Sequence, residues 1–349
     1  MTETIQKKKR DVSLDIAKGI LIFLVVWGHS IQYGFGYEYG ESFGCYTDWM
    51  FRFIYTFHMP LFMAIGGYLY YFSNRKDFKA VLLSRIKSVG IPYLTYCTIM
   101  VLILLPITQL GGAIFLVFST YTNGFWFLTS ILFNCLVVSS VTLFTRKKYI
   151  VTILLSLIAV LFLFVSDKYL YGTHNFMFTC FAIGYIYNIL TEKPIVHDSV
   201  RAYKMLISIL SLVGCTYLYE KELFIYVTGV NIWQEGTISI HQLAIDVERI
   251  TISIVASISF LTLISGYRYM PNKISEIVCD LSRYSLGIYC SSSIMLMLYY
   301  KALGKLAIDI SHSYIYPLCL SMIIIAISYM FFKRCEKRYW LNTLFLGGR

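Results

Sequence analysis

Charge is scarce in this chain. Asp, Glu, Lys and Arg make up only 14% of its 349 residues, whereas 58% are hydrophobic and the mean hydropathy is +0.66. A soluble domain of this length carries about a quarter charged residues and is about half apolar. The patterns of several soluble chemistries are missing too. No CxxC pair and no metal-ligand spacing occur among the nine cysteines (45, 97, 135, 180, 215, 279, 290, 319 and 335). They are scattered, mostly inside apolar runs, and read as small packing residues, so no metal is expected. The nucleotide signatures GxxxxGK and GxGxxG are absent. A net charge of +11 would suit nucleic acid, but the basic residues fall in short clusters between apolar runs and form no continuous face. No low-complexity linker, internal repeat or inverted pair of Gly/Pro-broken helices divides the chain, which reads as one domain over 1–349.

What is there is a series of apolar runs near the length of about 20 residues needed to cross a hydrocarbon core. Ten are placed near 12–34, 51–72, 90–110, 125–145, 149–166, 173–190, 205–220, 249–267, 284–300 and 314–332. The expected fold is therefore an all-α integral membrane bundle of about ten transmembrane helices. "MTETIQKKKR" lacks a cleavage site of small residues, so the first run reads as a retained helix. With the N-terminus inside, roughly 23 of the 30 Lys and Arg fall in cytoplasmic segments and about five on the outer side. Both termini are expected in the cytoplasm. The largest outer segment, roughly 221–248, is polar and aromatic and suits a short amphipathic or re-entrant element.

The first run, "LDIAKGILIFLVVWGH", carries Asp15, Lys18 and His29. At about 100° per residue, the eleven steps from Lys18 to His29 make three turns plus about 20°. Asp15 lies three residues before Lys18 and Gln32 three after His29, so the four form one polar stripe. Lys18 and His29 are about 16 Å apart along the axis, Lys18 toward the cytoplasm. Ionisable groups in a membrane helix are costly and mark function or a partner. One reading is an interhelical seam, with Asp15 paired to Lys18 and His29 hydrogen-bonded to a neighbour. The other is a lined passage with a proton-handling imidazole at its outer end, suited to that task by a pKa near operating pH.

Other polar residues also admit two readings. His58 precedes Met59-Pro60 and either stabilises the proline kink or faces substrate. Asp48 lies at the outer mouth of the same helix, with Trp49 and Arg52; it is a solvated loop acid or a carboxylate that orients His29. Arg85 and Lys87 satisfy the positive-inside rule, or dock phosphates through a planar fork and a point charge. Trp126 and Phe127 belong to an interfacial aromatic belt, or offer a ring on which a sugar stacks.

Taken in order and spacing, "LDIAKG…VVWGHS", "FHMPLFMAIGGYLY", "SRIKSVGIPYL" and "GFWFLTSILF" resemble an integral-membrane acyltransferase family. It is acyltransferase family three, in the branch of O-acetyltransferases of surface polysaccharides and fucose 4-O-acetylase-like proteins. Lys18 and His29 match its helix-one signature of a basic residue, ten residues and a histidine. His58 to Leu69 match its "FHMPLFFFISGYL", with Met63 and Gly66 in place of an aromatic and a serine. Arg85, Lys87, Pro92 and Tyr93 match in part a basic motif that ends in Pro-Tyr. The resemblance is dense over 10–135 and thin afterwards. Relatives often carry "SLGIYLIH" in a late helix, where this chain has "SLGIYCSS"; Ser292 replaces the histidine, and a hydrogen bond is all that is assigned to it.

The resemblance implies a multi-pass enzyme of the bacterial cytoplasmic membrane that moves an acyl group, acetyl by family precedent, from cytoplasmic acyl-coenzyme A to a hydroxyl of a surface or lipid-linked glycan. On that reading Arg85, Lys87 and Lys18 bind the donor, and His29 is the general base beside Asp15, Lys18 and His58. Asp48, Trp126 and Gln32 meet the acceptor. A relay through an acyl-histidine is a variant of the same reading. The rival from another class is an exporter of a glycan or small solute that uses the same stripe as a proton or substrate path.

Overall fold

The computed structural model describes residues 12–35, 44–74, 77–107, 110–165, 172–191, 193, 201–234, 236–266, 272–305 and 315–348. Among these residues the structure is all-α apart from one antiparallel pair of two-residue strands, β1 (Trp233–Gln234) with β2 (Thr237–Ile238). Fifteen helices are described: α1 (Val12–Gly34), α2 (Trp49–Ser73), α3 (Phe78–Arg85), α4 (Ile91–Leu104), α5 (Leu110–Asn123), α6 (Trp126–Phe144), α7 (Lys148–Phe162), α8 (Gly172–Thr191), α9 (Ala202–Leu218), α10 (Ile225–Thr228), α11 (Ile240–Gly266), α12 (Asn272–Arg283), α13 (Ser285–Lys305), α14 (Ile315–Cys335) and α15 (Tyr339–Leu346). Each of the ten apolar runs falls on one of them. By length and composition, five stretches among the described residues are apolar enough to cross a membrane: Val12–Gly34, Phe78–Leu104, Trp126–Phe144, Ile240–Ser265 and Ile315–Cys335. The outward surface is oily on these helices and on α5, with Phe144 of α6 and Ile114, Phe115 and Phe118 of α5 all more than two-thirds exposed. This is the surface of a multi-pass membrane protein. The basic stretch 7–10, on which the inward N-terminus was argued, and Arg75 and Lys76 lie outside the described residues.

Two boundaries differ from the sequence reading. The third segment begins at Phe78, not near 90, because Lys79, Arg85 and Lys87 lower the hydropathy of a stretch that is nonetheless helical. Between α3 and α4 the chain makes a π-turn, Ile86–Gly90, just before Pro92. Proline has no amide to continue the ladder, and such widened turns accommodate the loss. The eighth segment begins at Ile240, not 249, because Gln242, Asp246 and Arg249 are satisfied by protein and not by water. The segment 221–239 before it is a compact cap of short turns, α10 and the hairpin.

Arg249 holds that cap. It is fully buried, and its Nε donates to the Leu223 carbonyl at 2.7 Å. Nη1 donates to the Gly229 carbonyl and to Asp246 Oδ1, both at 2.8 Å, and Nη2 to Thr228 Oγ1 at 2.6 Å. The guanidinium also lies 5.8 Å from the Phe176 ring centroid on α8. Arg52 does similar work at the start of α2, donating to the carbonyls of Tyr217 and Tyr219 at the end of α9.

The helix with the most polar stripe sits in the middle. α1 packs against α2, α11, α12, α13 and α14, which keeps its ionisable groups away from lipid. α2 in turn lies backbone to backbone on α8. A Cβ on Gly67 would fall 1.9 Å from the Phe181 carbonyl oxygen, and one on Gly184 would fall 1.8 Å from that of Ala64. Close approach through small residues is how helices associate where lipid removes the hydrophobic drive.

The cap predicts its own test. Arg249→Met leaves Asp246 buried without its cation and should cost about 3–5 kcal/mol, read as a lowered thermal midpoint in detergent. Arg249→Lys should recover little of it, because one ammonium cannot reproduce the planar fork.

Candidate active site

The two ends of the α1 stripe do different jobs. At one end Lys18 Nζ pairs with Asp15 Oδ1 at 3.0 Å, and Ser282 Oγ of α12 donates to the same oxygen at 3.1 Å. Asp15 is buried, while Lys18 keeps part of its surface open and lines a cavity of about 350 Å³. At the other end Gln32 is buried, with the Tyr55 hydroxyl of α2 donating to its Oε1 at 3.4 Å.

The cavity runs between α1, α2, the α3–α4 turn, α6 and α13. Its polar end is formed by Lys18, Ser73, Ser84, Arg85, Ser88 and Ser285. Arg85 stands at the start of the π-turn, with its guanidinium 5.2 Å from the Tyr70 ring centroid. Its Nε and the Ser88 Oγ are buried without a hydrogen-bond partner. Buried donors are rarely left so, and two beside a lysine form a place for an anion. Ile22 and Val25, one and two turns along α1 from Lys18, lead to an apolar end closed by Met59, Phe62, Phe127 and Tyr289.

His29 lies behind that end. Its ring meets Tyr289 edge-on, centroids 6.4 Å apart at 86°, and is partly exposed. Among the described residues neither ring nitrogen of His29 has a protein hydrogen-bond partner. His58 is buried and close enough to His29 for the two charges to interact. Its Nδ1 lies 2.7 Å from the Ile54 carbonyl. A carbonyl only accepts, so Nδ1 carries the proton and Nε2 keeps its lone pair in the neutral ring. The Tyr55 ring packs against His58 at 4.7 Å and joins it to Gln32. His29, Gln32, Tyr55 and His58 thus form one cluster on the α1–α2 seam.

Other expected residues lie apart from it. Asp48 is the N-cap of α2, where its Oδ1 accepts from the Phe51 amide at 2.7 Å. Burial pushes its carboxyl above the ordinary range, and the amides of Phe51 and Met50 partly offset this. Lys87 is exposed on the far side of the π-turn, its ammonium 5.6 Å from the Tyr339 ring centroid of α15. Trp126 is half-buried and reaches the site only through Phe127, whose ring it meets at 6.1 Å. Ser292 donates to the Tyr289 carbonyl of its own helix at 3.1 Å. Tyr70, Ser88, Ser282 and Tyr289 join the site without having been singled out; for Tyr289 the signal was the "SLGIY" stretch itself.

A family model described as "Acyltransferase domain" matches residues 11–332. The chain belongs to acyltransferase family three. The family match covers the cavity, the His29 cluster and the apolar stretches named above except the last three residues of Ile315–Cys335. Among characterised proteins, the chain is 34% identical over 142 residues to nodulation protein NolL of Mesorhizobium japonicum, covering 39% of this chain and 37% of that one. NolL of Sinorhizobium fredii is 52% identical over 60 residues, 17% of this chain and 16% of its own length. The chain thus spans 37% of the first relative's length and 16% of the second's. No solved structure matches it.

The position of Asp48 gives a clean expectation. Asp48→Ala should lower stability by about 1 kcal/mol, the usual loss of an N-cap, and Asp48→Asn should restore most of it. A thermal melt in detergent beside an activity assay checks this: a role in orienting His29 would leave Asp48→Asn folded but inactive.

Proposed function

We propose that the protein takes an acyl group, acetyl in the first instance, from acyl-coenzyme A and transfers it to a hydroxyl of a surface or lipid-linked glycan. In this reading all ten helical runs cross the cytoplasmic membrane of a bacterium, with both termini inside and the Lys18 end of α1 toward the cytoplasm. The observation that carries it is the cavity, cationic at one end and apolar at the other, with His29 just beyond the apolar end. Membership of an acyltransferase family supports the chemistry.

The chemistry follows from the two ends. Arg85, with its unpartnered Nε, the Ser88 hydroxyl and Lys18 bind phosphate oxygens. The pantetheine arm follows Ile22 and Val25, so the thioester arrives beside Phe127 and Tyr289. On the far side of Tyr289 the acceptor hydroxyl gives its proton to His29 as it attacks the acyl carbon, and the imidazolium returns that proton to the leaving thiolate. Gln32 and Tyr55 offer hydrogen bonds to the acceptor, and Asp15 keeps Lys18 in place. An exporter would have no need of a buried arginine Nε left without a hydrogen-bond partner at the end of a half-apolar cavity.

Two expectations separate donor from acceptor. His29→Ala should lower transfer by a factor on the order of 100 or more while leaving coenzyme A affinity nearly intact, because it removes chemistry and not docking. Arg85→Ala should weaken coenzyme A binding and flatten its salt dependence, because a charge contact is lost. Calorimetric titration and single-turnover transfer on the purified protein measure both. Saturable donor binding in neither wild type nor His29→Ala would favour the exporter.

A further inference from the structure

Tyr289, from the late-helix stretch Ser285 to Tyr289, has no part in the steps above, yet it separates their two halves. It lines the cavity that holds Lys18 and Arg85, and its ring rests edge-on against His29. For acyl transfer the attacking oxygen must come within about 3–3.5 Å of the acyl carbon. A base on one side of Tyr289 and a thioester on the other can meet only beside its phenol.

The ring is held on several sides. Phe127 lies 5.6 Å from it at 61°, Phe125 6.2 Å at 72°, and Tyr289 is 5% exposed. Val25, Met59, Phe62, Phe127 and Leu128, which line the same cavity, carry no donor of their own. A donor held in place among apolar side chains is the arrangement that stabilises charge developing on a carbonyl oxygen.

We infer that Tyr289 is a catalytic residue whose hydroxyl donates a hydrogen bond to the thioester carbonyl oxygen during transfer. This rests on the reading that the cavity holds an acyl thioester. The acceptor oxygen bonds to the acyl carbon as His29 takes its proton, and the carbonyl π electrons move onto the oxygen facing Tyr289. Collapse of that intermediate re-forms the carbonyl and breaks the carbon–sulfur bond. The thiolate takes the proton from His29, so product ester and free thiol leave with the enzyme unchanged. Tyr289 shares its proton throughout and never loses it.

Tyr289→Phe tests this, since it keeps the ring and removes only the hydroxyl. Its kcat for acetyl transfer should fall about 100-fold or more, the scale for loss of one such donor, with coenzyme A affinity changed less than about twofold. A binding readout separates catalysis from packing. Wild type should bind a ketone analogue of acetyl-coenzyme A, with methylene replacing sulfur, more tightly than the S-ethyl thioether, which has no carbonyl. Tyr289→Phe should bind the two alike, and so should Tyr289→Met, which serves if the first variant does not fold. A variant that keeps both its kcat and the ketone preference would overturn the role of Tyr289 and leave the donor reading standing. If wild type binds neither analogue nor coenzyme A, the donor reading itself falls, and this role with it.

Discussion

The bundle depends on giving a lysine and an aspartate a place inside a membrane. An unpaired charge in hydrocarbon costs several kcal/mol, and Asp15 and Lys18 avoid this by pairing at 3.0 Å with Ser282 as a third member. That arrangement requires α12 to cross α1 closely, and at the crossing a Cβ on Gly19 would fall 2.1 Å from the Val278 carbonyl oxygen. α12 is amphipathic, unlike the spanning helices, and its far end is tied down as well. Tyr329 of α14 donates to Asp280, and Arg283 pairs with Glu336 at 3.2 Å. The bond from Ser282 to Asp15 thereby joins α12 to α1, and Asp280 and Arg283 join it in turn to Tyr329 and Glu336, beside the polar end of the cavity.

The other end is organised without charge. Gln32, Tyr55 and His58 are linked by a hydroxyl and a ring contact, while aromatic rings from α6 and α13 close the pocket. The site therefore changes character along its length, from a cationic end through an apolar one to a neutral polar cluster behind it. A long amphipathic donor with charge at one end and a reactive group at the other is complementary to that order, and this is why the geometry favours group transfer over passage of a solute.

Much of this was legible in the sequence, and the limits are physical. The α1 stripe follows from helical period alone, and the ten runs follow from hydropathy. The start of α3 and the whole of α12 escaped, because basic or amphipathic helices read as loops when apolarity is the only signal. The cavity escaped for a different reason: Arg85 and Lys87 read as one basic pair in the sequence, but two residues at about 100° each stand about 200° apart around a helix, so one reaches the pocket and the other Tyr339. Asp48 was legible and under-read: an aspartate just before an apolar helical run is an N-cap signature, and its Oδ1 caps α2.

The bare imidazole of His29 has a consequence for selectivity. In hydrolytic triads a carboxylate fixes which ring nitrogen carries the proton before any substrate arrives. Among the described residues His29 has no such orienter, and Tyr289 touches only its ring edge. On the proposed reading, the tautomer of the base is then chosen by the hydroxyl that enters, so that one chamber can serve hydroxyls approaching from different directions. Discrimination between acceptors would fall to the polar groups around the histidine, and the base itself would be indifferent to which sugar position it deprotonates.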